Sequence, residues 1–275
     1  MTRKKPPFLR RRLGRRLATM RERAGLTMEE AAARLEKTRT AVSRIESGES
    51  RVDIHLARSI MDLYDDWNDD LLEQVREAMK PRWFRAYGVE DHGYVDVETE
   101  ASVVCEFAGL NLPGLLQTEP YMRALLKTGR RRTLKELDND VAVRRIRQKR
   151  LTSDDDPLGL RVVVDEAALH RKIGGAKIMR DQLDHMVLVA ELPSVTLQVL
   201  PLDSGPHDAM NGSFALLEFP QSDDPQLLFI EYITGSLHIE NADELRKARL
   251  VFDQLRAQAL GPAESIELIS ELARR

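Results

Sequence analysis

With 275 residues, 42% of them hydrophobic and 32% charged, the chain carries apolar material for two moderate cores, so two domains are the expected organisation. No apolar run approaches the roughly eighteen residues that cross a bilayer, and the opening Met1-Thr2-Arg3-Lys4-Lys5-Pro6-Pro7 holds no apolar segment like a secretory signal; a soluble, cytoplasmic protein with no membrane contact is expected. A lone cysteine, Cys105, excludes an internal disulfide and a cysteine-rich zinc site, and its expected role is that of a small buried hydrophobe.

The net charge of −3 hides an asymmetry. Residues 1–58 hold sixteen Lys and Arg against seven Asp and Glu, a surplus of nine, so the remainder of the chain carries −12. Arg3, Lys4, Lys5, Arg10, Arg11, Arg12, Arg15 and Arg16 all precede the first acidic residue, Glu22. Such a run suits a polyanion, although a solvated helix face or a helix lying on a membrane surface carries the same signature.

In chain order, Leu9, Leu13, Leu17 and Met20 recur at helical spacing from Phe8, and Gly25 stands where a left-handed cap ends a helix near Ala24. Thr27 and Glu30 form a capping box, and Ala31, Ala32 and Leu35 give the next short helix an apolar face up to about Glu36. Thr38 caps a third helix, with Val42 and Ile45 inward and Gly48 as its stop, and a fourth begins near Asp53. Asp65 to Glu100 reads as a connecting helix with an aromatic end at Trp83, Phe84 and Tyr87. Beyond residue 101, helices are expected at 119–128, 134–151, 176–191, 243–260 and 263–273. Strands are expected at Val162–Asp165, Val195–Leu200, Phe214–Phe219, Leu228–Ile233 and Leu237–Glu240, the last two joined by Thr234, Gly235 and Ser236. The expected fold is α+β: a helix-turn-helix domain at 1–65, a connecting helical segment at 66–100, and a mixed domain with a largely antiparallel sheet at 101–275.

Helix-turn-helix proteins lay a second short helix in the major groove while the first braces it. Ala32 is the small residue at the expected crossing, and Val42 and Ile45 are the anchors under the recognition helix. Thr38, Arg39, Thr40, Ser43 and Arg44 point away from those anchors with base-reading chemistry, and Arg11, Arg12, Thr27 and Arg51 are the candidate phosphate contacts. The alternative is a purely structural helical domain.

The run Gly25-Leu26-Thr27, Glu30-x-Ala32-x-x-Leu35 and Val42-Ser43-Arg44-Ile45-Glu46-x-Gly48 resembles the xenobiotic-response-element class of phage-repressor-like regulators. Two positions depart from that pattern: Glu36 replaces the turn glycine, which calls for another backbone conformation or tolerated strain, and Met28 replaces the glutamine that often opens the second helix. Pro81 to Gly88, Leu112-Pro113-Gly114-Leu115-Leu116-Gln117-Thr118-Glu119-x-Tyr121, Asp165-Glu166-Ala167-Ala168-Leu169, Val195 to Pro201 and Leu217-Glu218-Phe219 are similar to the C-terminal domain of the actinobacterial WhiJ-like, antitoxin-like regulators. That resemblance implies a transcription factor, often paired with a small partner protein, and supplies no catalytic residue.

The rest of the chain offers weak enzymatic signals, and no catalytic residue, metal or cofactor is expected. Asp165-Glu166 reads as a helix cap before a carboxylate pair; His207-Asp208 and His238-x-Glu240 lack ligand spacing; Gly174-Gly175 ends one element before a helix. Arg130, Arg131 and Arg132, with Arg144, Arg145, Arg147, Lys149 and Arg150, form either a salt-bridged helix face or a surface for a partner or flanking DNA. Pro113 to Thr118 reads as core packing or the lining of a ligand cleft. The leading function is a DNA-binding regulator, expected to repress and to work as a homodimer on double-stranded DNA. Its dimer surface is expected along Leu245, Ala248, Phe252, Leu255 and Ala259, unless that stripe closes the domain core. A small partner protein or small-molecule effector is the remaining expected partner. The rivals are an antitoxin that sequesters such a partner and a small-molecule-modifying enzyme.

Overall fold

A computed structural model describes residues 6–89, 93–128, 133–220 and 226–275. Arg3, Lys4, Lys5 and Arg130 to Arg132 lie outside the described residues. The chain divides into two compact units, Met1–Val97 and Glu98–Arg275.

The first unit is helical: α1 (Phe8–Arg23), α2 (Met28–Arg34), α3 (Arg39–Glu46), α4 (Ile54–Tyr64) and α5 (Asp69–Met79), then a 3-10 turn at Trp83–Tyr87 and α6 (Tyr94–Glu98), at whose end the division falls. Four of its helix starts are written locally. Thr27 and Glu30 make the reciprocal capping box on α2, while Thr38, Asp53 and Asn68 accept backbone N–H groups at the starts of α3, α4 and α5. Pro7 gives α1 no side-chain cap. Instead Asp96, fully buried, accepts the Phe8 N–H at 2.6 Å and faces Arg82 at 2.9 Å, placing a carboxylate at the positive end of α1. Leu71, Leu72 and Val75 of α5 share one core with Leu13, Leu17, Ile45 and Ile60, so the segment expected to connect two domains is part of the helical unit's interior.

The turn between α2 and α3 resolves the Glu36 departure in favour of strain. Glu36 adopts φ +54°, Lys37 N–H reaches Ala32 O at 2.8 Å and Glu36 N–H reaches Ala33 O at 3.3 Å, a left-handed helix stop normally given to glycine. A side chain there costs roughly 1 kcal/mol, so Glu36→Gly is expected to stabilise the unit by about that amount. An unchanged or lower denaturation midpoint would contradict it.

The second unit is α+β. In chain order it runs β1 (Val103–Ala108), α7 (Glu119–Leu126), α8 (Leu134–Gln148), β2 (Gly159–Asp165), α9 (Glu166–His170), α10 (Ala176–Val189), β3 (Val195–Leu200), β4 (Phe214–Glu218), β5 (Leu227–Tyr232), β6 (Gly235–Ile239), α11 (Ala242–Gln258) and α12 (Pro262–Arg274). The sheet order is β3-β2-β1-β4-β5-β6. It is mixed. β1 pairs β2 and β2 pairs β3 in parallel through helical crossovers, and the remaining three pairings are antiparallel. Of the strands, β1 escaped the sequence reading because it is central and largely buried on both faces and shows no apolar–polar alternation. The hairpin turns at Ile233–Thr234, with Tyr232 opposite Gly235, one residue earlier than expected.

α11 covers one sheet face. Leu245, Phe252 and Leu255 join Cys105, Phe107 and Leu216 in a core, with Ala248 and Ala259 packed against it. The stripe expected to form the dimer surface therefore closes this core. α12 seals the β3 edge: Val199 N–H donates to Ser265 Oγ at 2.9 Å and Val199 O accepts Leu260 N–H at 2.9 Å.

Candidate nucleic-acid interface

The interface is built outward from its anchors. Ala32, Val42 and Ile45 are 4%, 2% and 5% exposed, which fixes the opposite face of α3 toward solvent. On that face Thr38, Arg39, Thr40, Ser43 and Arg44 are all exposed and contiguous. Thr38 also spends its hydroxyl on the Ala41 N–H at 3.1 Å. Both arginines are flanked by carboxylates: Arg39 Nε lies 2.5 Å from Glu29 Oε1 of α2, and Arg44 Nε 3.5 Å from Glu49 Oε2. Such exposed pairs are weak and salt-screened, so guanidinium groups remain available to a polyanion.

The four phosphate candidates divide. Arg51 is exposed in the loop after α3, and Thr27 is exposed at the start of α2. The Thr27 hydroxyl is occupied there, accepting from Glu30 N–H and donating to the Glu30 carboxylate; the Thr27 backbone N–H, at 2.9 Å, and then that hydroxyl hold the carboxyl below its usual range. Arg11 and Arg12 are half-buried. Arg11 lies over the Phe8 ring at 5.6 Å and donates to Pro6 O at 3.0 Å, and burial lowers its pKa despite the nearby Asp96. The structure therefore joins Arg11 to the packing of its own unit rather than to the exposed face of α3.

Sequence reading missed the group that holds α3 in place. Arg21 of α1 grips Glu46, the last residue of α3, through Nε–Oε1 at 2.6 Å and Nη2–Oε2 at 3.0 Å, and its Nη1 donates to Leu26 O at 2.9 Å. The two side chains are 8% and 6% exposed. Burial, with Glu46 nearby, pushes the neighbouring Tyr64 up to about 12. The approach is close because of two glycines: a Cβ at Gly14 would stand 2.7 Å from Ile45 O, and one at Gly48, which has φ +75°, 2.7 Å from the Arg10 backbone. One signal was available, since Arg21 continues the inward face Gly14–Leu17 at helical spacing.

The other candidates are mostly structural. Asp165 caps α9 through Ala167 N–H at 2.8 Å, and Glu166 holds His170 at 3.0 Å and Leu202 N–H at 3.0 Å. His207 lies 3.4 Å from Asp165, whereas His238 stacks edge-on to Phe229. No group of three or more metal ligands occurs among the described residues. Arg147 grips the buried Glu98 at 2.7 and 2.6 Å, Arg150 donates to the Glu98 and Ala101 carbonyls, and Arg145 meets Glu119, so much of the second basic cluster is committed within its unit. Leu112, Leu115 and Leu116 are buried, and the Pro113–Thr118 loop is core packing.

Two family models match the chain. One, described as a helix-turn-helix domain, covers residues 12–75, and the other, described as a domain of unknown function (DUF5753), covers residues 92–271. The chain belongs to the DUF5753 family. No curated protein and no solved structure matches it. The helix-turn-helix match takes in most of α1, all of α2, α3 and α4 and part of α5, in agreement with the shared core, and gives this DUF5753 chain the architecture of a DNA-binding regulator. Among the described residues, no helix is long and apolar enough to cross a membrane.

Proposed function

We propose that the chain is a sequence-specific transcriptional repressor of the xenobiotic-response-element class, related to the WhiJ-like regulators. It binds operator DNA as a homodimer and works in the cytoplasm, and its C-terminal unit is a binding rather than a catalytic module. The observation that carries the reading is the exposed hydroxyl and guanidinium face of α3, standing on buried anchors at the end of a basic segment. A module of this size buries only about 600–1,000 Å² on DNA, and two copies on half-sites about one helical turn apart supply the missing affinity.

Site selection from random duplexes followed by footprinting tests the reading. Arg39→Ala and Arg44→Ala are expected to cost about 1–3 kcal/mol each on the selected site and to relax preference at one or two base positions. Unchanged affinity and selectivity in both variants would remove α3 as the reading element. Light scattering that finds a monomer, together with protection of a single asymmetric half-site, would remove the dimer. Capture of a small protein that abolishes operator binding would instead favour the antitoxin-like role.

A further inference from the structure

The helical unit carries an open pocket of about 240 Å³ that lies outside the reading face of α3. Three segments meet there: the first turn of α1 at Arg10, the loop after α3 at Ser50–Val52, and the last turn of α5 at Ala78 and Met79. Gly48 permits the meeting, because its missing Cβ lets that loop lie on the Arg10 backbone. The lining is divided in chemistry. Leu13 and Val52 are buried and, with Ala78 and Met79, supply apolar surface, whereas the charged residues lining it, Arg10 and Arg51, are both cations. Neither guanidinium is fully used. Among the described residues Arg10 makes one hydrogen bond, from Nη2 to Glu49 O at 2.5 Å, and its Nε is buried with none, while Arg51 has no hydrogen bond or ion pair. Burial lowers the Arg10 pKa and the Arg51 charge lowers it further, so the two cations repel each other at the pocket.

Two partly committed cations over an apolar floor complement a small organic anion. The charges call for an oxyanion and the floor for a hydrocarbon part, which a bare inorganic anion, hydrated on every side, lacks. The volume sets the size, since pockets for drug-sized ligands run to about 300–1,000 Å³ and this one is smaller. We propose that the pocket binds a small carboxylate with a short aliphatic or aromatic body, its carboxylate between Arg10 and Arg51 and its body against Leu13, Val52 and Met79. Binding neutralises Arg51, a candidate phosphate contact, in a loop tied to the recognition helix by the Ser50 N–H, which donates to Arg44 O at 2.9 Å. The bound anion therefore competes with a DNA phosphate and weakens operator binding. That consequence rests on the DNA-binding reading; the site itself does not, and its test contains no DNA.

Methyl resonances of the full chain, labelled with carbon-13 at its nine methionines, report on the pocket through Met79, which Met79→Leu assigns. The probes are sodium acetate, hexanoate and benzoate, the amides of the last two, and inorganic phosphate, all at constant ionic strength. Hexanoate or benzoate is expected to shift the Met79 methyl saturably and to bind more tightly than acetate, and the amides are expected to leave that methyl in place. Arg51→Gln, at an exposed loop position, is expected to weaken binding by roughly tenfold or more, as is Arg10→Gln. If Arg10→Gln does not melt as the native chain does, Arg51→Gln and the amide comparison decide. No saturable shift by any carboxylate at millimolar concentration, an amide that binds as tightly as its acid, phosphate that binds more tightly than every carboxylate, or native affinity in Arg51→Gln would overturn the site. A carboxylate that fills the pocket and leaves operator affinity unchanged would overturn the competition alone.

Discussion

Replacing Glu46 with alanine is expected to destabilise the helical unit by about 3–5 kcal/mol, because the Arg21 guanidinium then keeps its buried place without its carboxylate. Arg21→Ala should cost a similar amount, leaving Glu46 as the unpaired charge. Replacing both with residues of similar volume, as in Arg21→Met with Glu46→Leu, is expected to restore most of the loss, since two charges are then removed from a site that desolvates them. Amide exchange in α1 and α3 measures this directly. Single variants with native protection in both helices would show that the pair is incidental, and a double variant as unstable as the singles would show that packing, not charge, is at stake.

Ile45→Asp is expected to unfold the whole helical unit. Ile45 is 5% exposed in the core shared by α1, α3, α4 and α5, and a carboxylate there has neither partner nor water, at a cost of several kcal/mol. The C-terminal unit has its own core around Phe107 and Phe252 and should survive. The chain offers a built-in separation of the two signals, since both of its tryptophans, Trp67 and Trp83, belong to the helical unit. Tryptophan emission should be that of an unfolded chain from the start of a melt, while the strand signal in circular dichroism is lost in one later transition. Coincident transitions with operator affinity retained would show that Ile45 is not an anchor.

The residues explain what sequence could and could not disclose. Caps such as Thr27 with Glu30, Thr38 and Asp53 act within three residues, so the starts of α2, α3 and α4 are written where they occur. The exposed face of α3 was legible for the same reason, because Val42 and Ile45 fix it by spacing alone. Asp96 acting on Phe8, and Glu46 on Arg21, reach across 88 and 25 residues, and no local pattern encodes such partners.

The position of β1 at the middle of the sheet bears on the order of events during synthesis. Its neighbours β2 and β4 end at Asp165 and Glu218, and the helices that cover the sheet and seal β3 are the last to be made. The helical unit is complete by Val97. At about 5–20 residues per second, the ribosome needs on the order of ten seconds more before β4 can close on β1. A nascent chain is therefore expected to present a folded recognition helix while its C-terminal sheet is still open, and a transcript broken before α11 yields a DNA-binding fragment cut loose from the rest.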